Sequence, residues 1–143
     1  MATSAQYTAK PAIQANTMVL GNANVNGAGQ TYVIAQGDLN YATPQDGKGY
    51  RIQTVFVRTA NATVSGGSLQ FYLTYDAGTT LYPITGVVVP VINPGANTLP
   101  WEVTVPACEG IILPAGNSSA TAQLRASTYY ANTFYVTAVG GYL

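Results

Sequence analysis

A chain of 143 residues with 48% apolar side chains is long enough for one domain with its own core and too short for two of ordinary size. It has five Lys plus Arg and five Asp plus Glu, so charged residues make up only 7%, where ~25% is usual. These totals exclude a disordered polymer. They also exclude a phosphate-reading surface, because Lys10, Lys48, Arg51, Arg58 and Arg125 are too scattered to form a basic patch, so no nucleic-acid partner is expected.

Residues 1–16 are polar and alanine-rich, with Lys10-Pro11 in their second half. Such a stretch buries too little to order itself, which predicts an extended or disordered N-terminal arm, or one ordered on a neighbour, ahead of a single β-sandwich domain over 17–143. The start has no hydrophobic segment of signal-peptide length and no apolar run is long enough to span a bilayer, so synthesis in a cytoplasm and no membrane contact are expected. Residues 17–20 form a short apolar run, 22–30 carry loop chemistry and 31–35 read as a strand. Residues 50–59 are rich in β-branched and aromatic types, but their alternation slips near Thr54-Val55, which predicts a bulge or burial on both faces.

Gly66-Gly67 signals a hairpin turn. Beyond it, Leu69, Phe71, Leu73 and Tyr75 alternate with Ser68, Gln70, Tyr72 and Thr74, and the first set is the predicted core. Asp76-Ala77-Gly78 turns the chain into two short strands over 79–84 and 87–92. Pro83, Pro90, Pro94, Pro100, Pro106 and Pro114 each lack a backbone donor, so strands in this region must be short, interrupted or at a sheet edge. Leu99, Trp101, Val103 and Val105 are expected to face inward, as are Ala122, Leu124 and Ala126, and then Phe134, Val136 and Ala138; the last two runs are expected to pair as a closing hairpin. No segment keeps helical periodicity. The pattern predicts an all-β, antiparallel sandwich of jelly-roll-like form, with a simpler sandwich as the alternative.

The chain has no histidine, which removes Ser-His-Asp and Cys-His catalysis and the commonest metal ligand. Glu102 and Glu109 are close in sequence, but one falls on an outward face and the other in a turn, so they do not share a cleft as an acid-base pair must. Asp38, Asp46 and Asp76 lack the spacing of a calcium loop. Asn61-Ala62-Thr63 and Asn117-Ser118-Ser119 match a glycosylation acceptor, a weak signal in a chain this rich in Asn, Ser and Thr. No catalytic residue, metal or cofactor is expected, and the lone Cys108 reads as a buried apolar residue. Eleven tyrosines and one tryptophan are a better lead, because tyrosine offers flat contact area together with a hydroxyl. The candidate contact residues are Tyr72, Trp101, Tyr129 and Tyr130, with Lys10 and Pro11 in the arm.

Gly110-Ile111-Ile112-Leu113-Pro114-Ala115-Gly116, then Ala122-Gln123-Leu124-Arg125-Ala126-Ser127, and the ending Phe134-Tyr135-Val136-Thr137-Ala138-Val139-Gly140-Gly141-Tyr142 resemble the C-terminal parts of small β-rich virion proteins of tailed bacteriophages. The resemblance implies a non-enzymatic capsid decoration, or cement, protein on the virion exterior, with the major capsid protein as partner and a homo-oligomer, a trimer above others, as its form. Low charge suits such a subunit independently, since little repulsion keeps neighbours apart. Two further readings stay open: a fibre or spike domain that binds a host-surface glycan, and a free carbohydrate-binding module.

Overall fold

A computed structural model of the chain describes residues 10–18, 31–37, 49–59, 64–92, 101–116, 121–128 and 134–143, with the backbone path only at 10–12, 14–18, 64–66 and 92. The strands are β1 (Lys10–Met18), β2 (Tyr32–Gln36), β3 (Tyr50–Thr59), β4 (Val64–Thr74), β5 (Tyr82–Ile92), β6 (Glu102–Thr104), β7 (Ile112–Leu113), β8 (Gln123–Thr128) and β9 (Phe134–Tyr142). Pro106–Cys108 forms a single 3-10 turn between β6 and β7. One sheet has the order β1-β9-β3-β6, with β7 also paired to β3; the other has the order β2-β8-β4-β5. Every pairing is antiparallel. The result is an all-β antiparallel sandwich, which the alternating sequence predicts. Its pairings are nested: β4 with β5, then β3 with β6 and β7, then β2 with β8, and β1 with β9 outermost.

β3 is the middle of its sheet, and one extra residue sets its phase. Its register to β9 shifts between Ile52 and Thr54. Before the shift the buried positions are Tyr50 and Ile52; after it they are Val55, Val57 and Thr59. The slip in the sequence pattern is therefore a β-bulge, which moves the inward face from even to odd residues. Opposite it, Gly140 approaches so closely that an added Cβ would lie 2.0 Å from the Arg51 carbonyl oxygen. At the same end of the sandwich, a Cβ on Gly37 would lie 2.1 Å from the Pro114 carbonyl oxygen, so the Leu113-Pro114 backbone crosses directly over the end of β2.

The other edge of β3 is shared by β6 and β7 because Pro106 interrupts what would be one strand. From Phe56↔Thr104 to Arg51↔Ile112, β3 advances five residues and its partner eight. The surplus forms the 3-10 turn, closed by Cys108 N–H donating to the Val105 carbonyl at 3.1 Å and Glu109 N–H to the Pro106 carbonyl at 3.0 Å. Val105 N–H donates to the Val55 carbonyl, Gly110 N–H to the Ile52 carbonyl, and Ile52 N–H to the Ile111 carbonyl, so the edge of β3 stays bonded across the break.

Ile52, Val55, Val57, Phe134, Val136 and Ala138 from one sheet meet Ile34, Leu69, Phe71, Leu124 and Ala126 from the other in a single buried cluster. Burying such side chains contributes roughly 1.5–3 kcal/mol each, and this is the main stabilising term in a chain with few charges. Tyr50, also in the cluster, packs edge-on against Tyr142 with ring centroids 5.3 Å apart, and its hydroxyl donates to the Ala138 carbonyl at 3.3 Å.

Several expectations are corrected. The runs over 120–127 and 134–139 face inward as expected, but they do not pair as a hairpin: β8 lies in one sheet and β9 in the other. Alternation specifies which side is buried, and two runs facing one core satisfy it from opposite sheets as well as side by side. For the same reason Gly66-Gly67 is no hairpin turn; both glycines lie within β4, and β3 is in the opposite sheet. Residues 10–16, assigned to the arm, belong to β1, which is in register with β9 from Lys10↔Tyr142 to Met18↔Phe134. A strand at a sheet edge needs only a neighbour's free backbone, which polar residues use as readily as apolar ones. Residues 1–9 lie outside the described residues. The two short strands expected over 79–84 and 87–92 form one, β5, an edge strand containing Pro83 and Pro90.

Two measurements check this packing. Gly140→Ala is expected to destabilise the domain by about 2–3 kcal/mol through the backbone clash, and Gly110→Ala by roughly 1–2 kcal/mol through its left-handed backbone alone, since Gly110 has φ +82° and nothing near an added Cβ; urea midpoints give the order. Burial pushes Tyr50 from 10.0 up to about 12, Tyr142 adding to the effect, and pushes Cys108 from 9.0 up to about 12. Both groups ionise more easily in the unfolded chain, so their stabilisation is full below pH 9 and is lost as pH rises toward 12. The urea midpoint is expected to fall over that interval, and in Cys108→Ala the fall is expected to begin closer to pH 10.

Candidate interaction surface

The two outer faces of the sandwich differ in chemistry. On the β1-β9-β3-β6 sheet, the side chains pointing away from the core follow from register: Ile13 beside Val139 and Thr54, Thr137 beside Phe56 and Thr104, and Tyr135 beside Arg58 and Glu102. Ile13 is 70% exposed and Tyr135 47%, while Phe56 and Val139 are half-buried without belonging to the core cluster or packing on it. Apolar and β-branched side chains thus run across this face, with Arg58 and Glu102 along one side.

Over β2 and β8, the outer face of the other sheet carries a part-buried polar network. Arg125 donates from Nε to Thr31 Oγ1 at 2.7 Å, from Nη1 to Gln123 Oε1 at 2.7 Å and from Nη2 to the Thr31 carbonyl at 3.1 Å. Gln123 Nε2 donates in turn to Gln36 Oε1 at 3.0 Å. Burial lowers the Arg125 pKa, and its donors are satisfied by these neutral acceptors. Among the described residues, no buried side-chain nitrogen or oxygen lacks a hydrogen-bond partner. The polar groups around Arg125 are thus used internally, whereas the edge strand β5 of the same sheet leaves Val88 80% and Val91 76% exposed.

The connection from β4 to β5 folds onto the network. Thr74 Oγ1 donates to Asp76 Oδ1 at 2.8 Å, Thr80 N–H donates to the same oxygen at 2.8 Å, and Gly78 N–H donates to Thr74 Oγ1 at 2.9 Å. Ala77 N–H reaches the Thr121 carbonyl at 3.1 Å, and Gly78 lies against the Arg125 guanidinium. Ala77 and Gly78 both have positive φ, 56° and 94°, as the Asp-Ala-Gly turn signal requires. Tyr75 and Tyr82 flank this turn with ring centroids 6.3 Å apart.

Placement of the sequence candidates needs one clear correction. Tyr72 is fully buried, its hydroxyl 3.3 Å from Ser127 Oγ, and it offers no contact surface. It does point away from Phe71, as alternation requires, but toward a covered polar face. Trp101 is half-buried against the core, and its carbonyl accepts from Thr59 N–H at 2.9 Å, so it extends the β3–β6 pairing and forms no exposed platform. Lys10 and Pro11 pair with Tyr142 and Gly141 in β1, at the far end of the strand from Tyr135. Tyr129 and Tyr130 lie outside the described residues. Tyr75, expected in the core, is 53% exposed because β4 ends at Thr74.

Glu102 and Glu109 are exposed. Among the described residues, no group of three His, Cys, Asp or Glu side chains could hold a metal ion, and no helix is long and apolar enough to cross a membrane. Comparisons with protein-family models, curated proteins and solved structures each returned no match.

The Asp76 turn predicts a local pH response. The backbone bond from Thr80, followed by the bond from the Thr74 hydroxyl, holds the Asp76 carboxyl below its ordinary 3.8. This contribution is present above pH 3.8 and is lost as pH falls through the lower folded value. The amide resonances of Gly78 and Thr80 are expected to shift together below pH 3.8, and Asp76→Asn is expected to abolish that titration.

Proposed function

We propose that the chain is a non-enzymatic structural subunit of a bacteriophage virion, a decoration protein that binds the major capsid protein on the capsid exterior and associates with copies of itself. The observation that carries this reading is the outer face of β1, β9 and β3, where exposed Ile13 and Tyr135 lie with half-buried Val139 and Phe56 in one apolar row. Exposed apolar rows of this kind mark interaction surfaces. The C-terminal resemblance supports the same reading, as does the nested strand order, which we read as a jelly roll, an architecture used by viral capsid and lectin domains.

Attachment through this face needs little electrostatic steering. With five charges of each sign in the whole chain, affinity must come from apolar burial and from many equivalent attachments on a repeating lattice. The test uses purified particles of the source virus stripped of this chain and incubated with it. Wild type is expected to rebind in hundreds of copies per particle, on the order expected when one site repeats over a lattice. Ile13→Asp combined with Tyr135→Asp should cut occupancy about tenfold or more, equivalent to at least ~1.4 kcal/mol per site, with an unchanged urea midpoint. Rebinding at only a few copies per particle, or full occupancy by the variant, would overturn the proposal.

A further inference from the structure

The geometry points to the open edge of β5 as the surface through which two copies of this chain pair, antiparallel and about a two-fold axis, into one continuous sheet. This deepens the self-association in the reading above and does not depend on capsid attachment. Among the described residues, β5 pairs with β4 alone and is the last strand of its sheet. It runs for 11 residues, Tyr82–Ile92, and none of them is charged. Sheet edges are ordinarily kept from pairing by shortness, charge, proline or a bulge. The edge of β3 follows that rule, being finished by β6 and β7, strands of 3 and 2 residues. β5 is guarded only toward its ends, by Pro90 and by Pro83 beside a register shift to β4. Between the prolines, Ile84-Thr85-Gly86-Val87-Val88-Val89 is an uncharged run rich in β-branched residues.

The side chains along this run complement themselves. Val89 is buried and Val87 packs on the core, so the alternate positions Gly86 and Val88 point outward. Val88 is 80% exposed and stands clear of the sheet. Gly86 contributes no side chain, and the Gln70 side chain of β4 lies across it, its amide nitrogen 2.8 Å from where a Cβ would be. A protruding residue is thus followed, two positions away, by a low one. Two strands paired with their outer faces on the same side set like positions opposite each other, so a residue must lie on the axis. With Val87 on that axis, each Val88 falls beside Gly86 of the other copy and Thr85 falls beside Val89.

Charge and length favour a second copy over another partner. A charged strand would find no counter-charge along β5, whereas two copies of an uncharged strand meet without opposing like charges. Residues 85–89 meet the same stretch of the second copy. Pro83 and Pro90 stop the ladder from running on, and a two-fold contact closes as a dimer where a head-to-tail one would grow. A contact this small belongs at the weak end of specific interfaces, so the dimer forms at micromolar concentrations.

The experiment is sedimentation equilibrium of the full chain over a range of micromolar concentrations, with amide hydrogen exchange at the two ends of that range. A monomer–dimer equilibrium is expected, and the protection gained at high concentration should fall within residues 85–89. Val88→Lys should raise the dimer Kd about tenfold or more with an unchanged urea midpoint, while Val88→Ile keeps it within a few-fold. Ile13→Asp, in the other sheet, should leave the dimer intact. The free chain alone is measured, so loss of particle binding leaves this result standing, and its failure leaves capsid attachment standing. A monomer at every concentration, residues 85–89 equally protected at both ends of the range, a dimer indifferent to Val88→Lys, or one abolished by Ile13→Asp would overturn the inference.

Discussion

The bulge in β3 is the constraint on which the rest of the sandwich depends. β3 is bonded on both edges, to β9 along one and to β6 and β7 along the other, so its phase decides what both neighbours bury. A period-two strand has no gradual adjustment available, because a shift of one residue exchanges its two faces. The extra residue between Ile52 and Thr54 lets Ile52 and Val55 both enter the core, and it puts Thr54, Phe56 and Arg58 on the outside beside Val139, Thr137 and Tyr135. The same register that completes the core therefore also creates the apolar outer row. Gly140 belongs to this arrangement, since any side chain there would meet the Arg51 backbone.

The asymmetry between the two outer faces follows from what each sheet carries across it. β8 places Gln123, Arg125 and Ser127 outward, and these are joined to Gln36, Thr31 and Tyr72 in bonds that use the polar groups internally. Burying Arg125 among neutral acceptors costs solvation, which its hydrogen bonds offset, and in exchange the guanidinium supports the β4–β5 turn. Nothing equivalent covers the described outward side chains of the other sheet, where Ile13 and Tyr135 remain exposed. The two sheets thus differ in how their outward groups are satisfied, by internal hydrogen bonds around Arg125 on one and by apolar neighbours along Ile13, Val139 and Phe56 on the other.

Much of this fold is legible in the sequence because sandwiches are encoded by alternation and punctuation. The inward sets Leu69 and Phe71, Leu124 and Ala126, and Phe134, Val136 and Ala138 are buried as their spacing requires, and the slip at Thr54-Val55 marks a real bulge. Pairing is far less legible, since alternation carries no information on which strand lies alongside. That is why β8 and β9 look like a hairpin and instead face each other from separate sheets. Outward position is likewise a poor guide to exposure. Tyr72 points away from the core yet is enclosed, whereas Tyr75 is exposed only because its strand stops one residue earlier. The row over Ile13, Phe56, Tyr135 and Val139 comes from the register of three strands, β1, β9 and β3, and no single stretch of sequence displays it.

The most direct measurement of the central claim is side-chain oxidative footprinting of the chain on assembled particles and free in solution. Strong protection of Ile13, Phe56, Tyr135 and Val139 is expected on the particle, with Tyr75 and Tyr82 labelled equally in both states. Equal labelling of the first four residues in both states, or protection confined to the β4–β5 turn, would contradict it.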